Sequence, residues 1–217
     1  MLTLAVDTTA EFGSIALADG AGVREEVLLH APQGFSGILF GEIEALLARQ
    51  SLALSEIDLF AGASGPGSFT GVRIGLAAIK GLGEVLGKPV AAVSNLEVLA
   101  GLGTAGLRAA VIDARRGEVF AALFDDAGRA VVPEQVIAFS RFLELLAGYQ
   151  FEWVCNDFDP FVAALAGTGF EQFPVVRAPR AIAGAIAELA ARRPFTDAVA
   201  IEANYVRRSD AELLWKG

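Results

Sequence analysis

DLFAGASGPGSFTGVRIGLAAIKGLGEVLG, residues Asp58 to Gly87, starts as an apolar run, breaks at Gly65-Pro66-Gly67, and resumes with helical spacing. Phe69, Val72, Leu76, Ile79 and Leu86 recur near the period of one helix face. Ser68 or Thr70 supplies an oxygen where a helix start needs an acceptor for its unpaired backbone N–H groups. The pattern predicts a strand, a tight glycine turn and a long helix. Such a junction points free N–H groups and the helix dipole the same way, which suits an anion. The phosphate-loop pattern is nevertheless absent, because Gly71 is followed by Val72 and Arg73 instead of Lys and a hydroxyl residue. The plainer reading of GPGSFTG is a turn in which glycine lets strand and helix pack closely. Gly71 and Gly75, four residues apart, share a helix face and leave a shallow groove for a second helix, from within the chain or from a partner.

Upstream, Leu2 to Val6 reads as a buried strand ending in Asp7-Thr8-Thr9. Gly13 to Ala18 and Gly22 to Leu29 read as two more strands, and Ser36 to Gln50 as an amphipathic helix. Downstream, Val90 to Val93 is a short strand, and Ser94 caps a helix through Leu102. The second half predicts strands at Arg108 to Ile112, Glu118 to Phe124, Arg129 to Val136, Glu152 to Cys155 and Phe173 to Arg177. Helices are expected at Ser140 to Ala147, Phe158 to Ala166 and Pro179 to Ala191. LAVDTTAEFGSIAL and AVIDARRGEVFAAL share one plan: a strand ending in Asp, a turn with Gly, a returning strand. The expected fold is therefore α/β with duplicated β-β-β-α-β-α-β-α halves, residues 1–102 and 103–217.

The composition narrows the function. A hydrophobic fraction of 54% in 217 residues can build extensive cores. With a mean hydropathy of +0.51, either the core is extensive or some apolar surface waits for a partner. A net charge of −9 argues against an autonomous nucleic-acid binder, since phosphate contacts need clustered Lys and Arg. A single Cys, Cys155, and a single His, His30, leave no intramolecular disulfide and no His/Cys metal site, so that composition leaves room only for a carboxylate site. MLTLAVD lacks the basic start of a signal peptide, and no uncharged stretch is long enough to span a membrane, so a cytoplasmic chain is expected.

Two polar turns have both a chemical and a plain reading. Asp7-Thr8-Thr9 offers hydroxyls and N–H groups to a phosphate, with Asp7 on a hydrated Mg²⁺, or else an Asx or Thr turn closing a hairpin. Asp113-Ala114-Arg115-Arg116-Gly117 offers an arginine fork to a carboxylate or phosphate, or else a charged hairpin turn. GLGTAG at Gly101 to Gly106 matches a dinucleotide pattern by letter but stands after a helix and before a strand, the reverse of what that motif requires. His30 lacks the partners of a catalytic triad, and Cys155 follows Trp153-Val154 as a core residue.

LAVDTT, AGASGPGSFTGVRIGLAAIKGL, DARRGEVF and NYVRRSD occur here in the order seen in the TsaB (YeaZ) family, which the chain resembles over most of its length. GPGSFTGVRIG is the most specific block. The resemblance implies the duplicated actin/Hsp70/sugar-kinase-like fold and a non-catalytic, accessory role in making threonylcarbamoyladenosine in tRNA, next to the anticodon. It implies pairing with a metal-containing catalytic paralogue, TsaD, and an ATPase, TsaE, with tRNA met only through the complex. It further implies no cofactor of the chain's own beyond ATP or ADP at the interface of the complex, and an apolar pairing face would make the free chain a homodimer. The paired surface would be a helix bundle of the two first-half helices: Ile38, Leu39, Glu42, Ile43 and Leu46 on one, and Gly65, Pro66, Gly67, Ser68, Phe69, Thr70, Gly71, Arg73 and Gly75 around the other. Asp7, Thr8, Thr9, Asp113 and Arg115 would mark a vestigial nucleotide site. Relatives often open the first helix with His-Ser or His-Thr, where this chain has Phe35-Ser36. Rival readings are an ATP-dependent kinase or phosphotransferase of the same fold, and a metal-independent peptidase.

Overall fold

A computed structural model describes residues 1–193 and 201–204. The chain forms two compact units, Met1–Asn95 with Arg180–Asn204, and a second that runs from Leu96 to Pro179. In the first unit, β1 (Thr3–Asp7), β2 (Phe12–Asp19) and β3 (Gly22–His30) form an antiparallel meander. Helix α1 (Leu39–Arg49) follows, then β4 (Leu59–Gly65), helix α2 (Phe69–Leu86) and β5 (Val90–Ser94). The sheet order is β3-β2-β1-β4-β5, with β1, β4 and β5 parallel.

The second unit repeats this plan. Helix α3 (Asn95–Gly101) leads into β6 (Leu107–Arg115), β7 (Glu118–Asp125), β8 (Ala130–Ala138) and α4 (Phe139–Leu145). Then come β9 (Glu152–Cys155), α5 (Asp159–Leu165) and β10 (Val175–Arg177), with sheet order β10-β9-β6-β7-β8. Read from the meander, the two sheets have the same order and the same mixture of antiparallel and parallel pairs. The duplicated α/β fold is thus present, and the expected elements differ from the observed ones mainly at their ends.

Burial explains each layer. β1 is buried along its whole length because it has a strand on either side and helices over both faces. Its Leu4 and Val6 join Leu39, Ile43 and Leu46 of α1 and Val72, Leu76 and Ile79 of α2 in one core. The residues between them point to the opposite face, where helix α6 (Ala183–Ala190) packs. In the second unit Trp153 is fully buried and ringed by Phe139, Phe142, Phe151 and Phe158.

The expected boundary after residue 102 is displaced. Leu96, Leu99 and Ala100 of α3 pack on Ala110, Phe120 and Val154 of the second unit, so the division falls at Asn95. Helix α6, assigned by sequence order to the second half, belongs to the first unit because Ile182, Ala183, Ile186, Ala187 and Ala190 are buried against that sheet. Its start is fixed by polar contacts: Ile182 N and Ala183 N both donate to Ser14 Oγ (3.0 and 2.9 Å), and Gly184 N donates to Glu26 Oε1 (2.8 Å). GLGTAG is closed in a different way. The N–H groups of Thr104 and Ala105 donate to the buried carboxylate of Glu152, leaving those donors unavailable to any dinucleotide. Of NYVRRSD only Asn204 lies among the described residues, and its N–H donates to Ser64 O (2.8 Å).

Ser14→Ala removes one acceptor shared by two buried N–H groups. Urea unfolding is expected to show a loss of about 1–2 kcal/mol with an unchanged denaturant slope.

Candidate functional site

The Asp58–Gly87 segment meets β1 at a buried polar knot. Asp7 at the end of β1 and Thr8 and Thr9 just after it are buried, with 3%, 1% and 4% of their surface exposed. Asp7 Oδ1 accepts from Thr9 N (2.9 Å) and Thr9 Oγ1 (2.7 Å), an Asx turn. Thr8 Oγ1 donates to Gly71 O (2.7 Å). Asn95 Nδ2 donates to Thr9 Oγ1 (2.5 Å) and Pro66 O (3.2 Å), tying β1, the glycine turn and the end of β5 together. Asn95 is the member that sequence reasoning missed. Its letters read only as a helix start, and no periodicity marks a side chain that bridges two turns.

Glycine makes the knot possible. A Cβ on Gly71 would overlap the Thr8 carbonyl oxygen, one on Gly75 would lie 2.6 Å from Thr8 Oγ1, and one on Gly67 would lie 2.5 Å from Thr9 O. Ser68 caps α2 by accepting from Gly71 N (3.2 Å), as its position predicted, so Ser68 and not Thr70 is the cap. The Gly71/Gly75 groove therefore exists but is filled by the chain's own Thr8. Gly71 and Gly75 are not on a partner face. Leu39, Ile43 and Leu46 are also withdrawn from it, since all three are buried in the first unit's core, and Gly65 and Pro66 are buried too.

The remaining interface candidates do reach the surface. Ile38, Ser68, Phe69, Thr70 and Arg73 are exposed, with Glu42 and Gly67 half-buried. Arg73 lies over the Phe69 ring at 3.7 Å. Around them, α1 presents Phe40, Gly41, Ala45 and Ala48 outward, and α2 presents Ala77, Gly81 and Val85. Both helices cover the same sheet face, so the first unit carries an outer layer in which these small and apolar residues alternate with the exposed charges of Glu44, Arg49, Arg73 and Glu84. Phe35 is 2% exposed with its ring against Gly13, a core plug.

The same hydrogen bonds decide against a phosphate at Asp7-Thr8-Thr9. Both hydroxyls and the Thr9 N–H are spent inside the chain, and Asn95 Oδ1, buried without a partner among the described residues, is an acceptor that a phosphate oxygen cannot satisfy. These residues do not fit a nucleotide's phosphates. Burial pushes the Asp7 carboxyl above its ordinary range, against the lowering effect of Thr9, and the charge of Glu26 adds to the rise. In the second unit, Asp113 accepts from Arg115 N (2.8 Å) and pairs with the Arg115 guanidinium (3.2 Å), the charged-turn reading.

The remaining reactive side chains are occupied or withdrawn. His30 bonds Glu11 (2.8 Å) and stacks on Phe12, whose ring also lies 4.2 Å from the Arg180 guanidinium. Burial pushes the Cys155 thiol up to about 12, far from a nucleophilic thiolate. No helix among the described residues is long and apolar enough to cross a membrane.

Comparison with known proteins gives a consistent set of likenesses. A family model described as "TsaD: tRNA N6-adenosine threonylcarbamoyltransferase" matches residues 30–203. A Bacillus subtilis (strain 168) protein named tRNA threonylcarbamoyladenosine biosynthesis protein TsaB is 35% identical over 151 residues, or 67% of this chain and 66% of that one. The Escherichia coli (strain K12) protein of the same name is 30% identical over 187 residues, or 80% of this chain and 74% of that one. The chain thus spans just under two thirds of the Bacillus relative. A Pseudomonas aeruginosa crystal structure, described as similar to peptidase YEAZ, superimposes with a TM-score of 0.79 at 28% identity, covering 95% of this chain and 99% of that one.

Two substitutions test the knot. Gly71→Ala forces a methyl against the Thr8 carbonyl and is expected to cost about 1–3 kcal/mol in urea unfolding. Asp7→Asn keeps the acceptor but removes the buried charge. Above the unfolded carboxylate value of about 3.9, the folded parent retains a proton that the unfolded chain has lost, so parent stability falls as pH rises toward the raised native value. The advantage of Asp7→Asn over the parent should therefore grow as pH is raised from about 4, until Asp7 ionises in the folded state. Parallel unfolding curves across that range would refute a raised Asp7.

Proposed function

The chain belongs to the TsaB family of tRNA threonylcarbamoyladenosine biosynthesis proteins, and we propose that it is the non-catalytic scaffold of a cytoplasmic complex that makes this nucleoside. Its partner is a TsaD-like, metal-containing transferase, with a TsaE-like ATPase as third member. Its own contribution is a binding face.

The carrying observation is the outer layer of α1 and α2. Small residues at Gly41, Ala45 and Ala48 on one helix, and at Ala77 and Gly81 on the other, let a partner's helices approach closely. Phe69 and Val85, 39% and 84% exposed, add apolar area to this face. Ile38, Thr70 and Arg73 border this face. The same layer supports self-pairing when the transferase is absent, because a helix face of small residues is self-complementary. The internal commitment of Asp7, Thr8 and Thr9 and the buried Cys155 support a scaffold over a phosphotransferase or peptidase. The net charge of −9 leaves RNA binding to the other subunits.

Depleting the chain in its own cells should remove threonylcarbamoyladenosine from bulk tRNA, read by nucleoside mass spectrometry, and re-expression should restore it. An unchanged level would sink the assignment. Phe69→Glu and Ala77→Arg, both at exposed positions, should weaken pairing with the transferase by about tenfold or more without changing the circular dichroism. Undiminished pairing would move the interface elsewhere.

A further inference from the structure

The two units share a plan but differ where the fourth strand meets its helix. In the first unit, Gly67 and Gly71 bring the start of an 18-residue α2 down on Thr8 and Thr9, the turn that follows β1. In the second, β9 is followed by Asn156-Asp157-Phe158 and an α5 of only 7 residues. The corresponding turn after β6 stays uncovered, and a pocket of about 790 Å³ opens between it, α4 and α5.

We propose that this pocket is a binding site for a small organic anion with an aromatic body. The volume falls in the range of small-ligand sites, about 300–1,000 Å³. Val119, Phe139, Leu143 and Phe161 line it and are themselves nearly buried, and Phe170 adds a third ring. Phe139 and Phe161 are tilted at 37° with centroids 5.1 Å apart, so they offer both an edge and a face to an aromatic guest.

The charges at the mouth select the head group. Of the carboxylates there, Asp113 is spent on Arg115 and Glu144 pairs with Arg141. Arg116 lines the same pocket and has no partner among the described residues. Its place is set by backbone geometry. Arg116 and Gly117 have φ of +57° and +76° in the two-residue turn between the paired Arg115 and Glu118. Such a turn favours Asn-Gly, and a long cation here is not what the turn itself asks for. A guanidinium beside an apolar slot recognises a carboxylate, phosphate or sulfonate through two parallel hydrogen bonds. This site lies in the second unit and does not depend on the scaffold reading.

The test uses the purified full chain and the fluorescence of 1-anilinonaphthalene-8-sulfonate. One saturable site is expected, emptied by 1-naphthoate, with 1-naphthalenemethanol and decanoate each about tenfold weaker as competitors. Arg116→Asn places Asn-Gly in the turn, so it should fold at least as well as the parent. It should weaken naphthoate about tenfold and leave the alcohol unchanged. Ala164→Trp, on the exposed wall of the pocket, should abolish binding. Unsaturable dye uptake, or dye binding untouched by both substitutions, would overturn the site. An alcohol as potent as naphthoate would overturn the anion, and an equally potent decanoate the aromatic body.

Discussion

The contact on which the first unit depends is the approach of α2's backbone to Thr8. Two glycines a turn apart allow it, and the Thr8 hydroxyl locks it by donating to Gly71 O at 2.7 Å. Side chains larger than hydrogen would lift α2 off β1. Once α2 is seated, Val72, Leu76 and Ile79 must enter the core, and Phe69, Arg73, Ala77, Gly81 and Val85 must face outward. The outer layer read here as a binding face is therefore a consequence of how the inner face closes.

The same seating redirects the polar chemistry at the end of β1. An Asp-Thr-Thr sequence at a strand end is well suited to hold a phosphate when it faces solvent. Here the glycine turn covers it, and its hydrogen bonds are satisfied from within by Thr9, Gly71 O and Asn95. Covering the carboxylate costs hydration, which is why desolvation outweighs the Thr9 hydrogen bonds and Asp7 holds its proton more tightly. The knot joins three segments distant in sequence: the end of β1, the glycine turn and the start of α3.

Duplication explains why the second unit looks familiar, and divergence explains why it has a pocket. Both sheets run in the same order, with helices after the third and fourth strands. A shortened fourth-strand helix leaves uncovered the turn that its counterpart buries. The aromatic cluster around Trp153 supplies Phe139 and Phe161 to the wall of the slot beside Arg116.

Much of this was legible in the chain itself. Alternation and helical period located the strands and helices, because burial on one face leaves its period in the letters. The strand, Gly-Pro-Gly turn and helix at Asp58 to Gly87 followed from glycine, proline and a capping Ser68, all local effects. The parallel between LAVDTT and AVIDAR foretold two like sheets. Which way a glycine stripe faces is not local: Gly71 and Gly75 read as an open groove until Thr8, some 63 residues away in sequence, was seen to fill it. Leu39, Ile43 and Leu46 similarly read as available to a partner and proved to be core. Helix α6 crossed back to the first sheet because Ser14 and Glu26 await its N-terminus, a match between side chains and backbone 158 to 169 positions apart. Local pattern determined which residues turn, cap and alternate. Only the tertiary structure decided which of those surfaces were already taken, because that depends on contacts whose partners leave no periodic trace in the sequence.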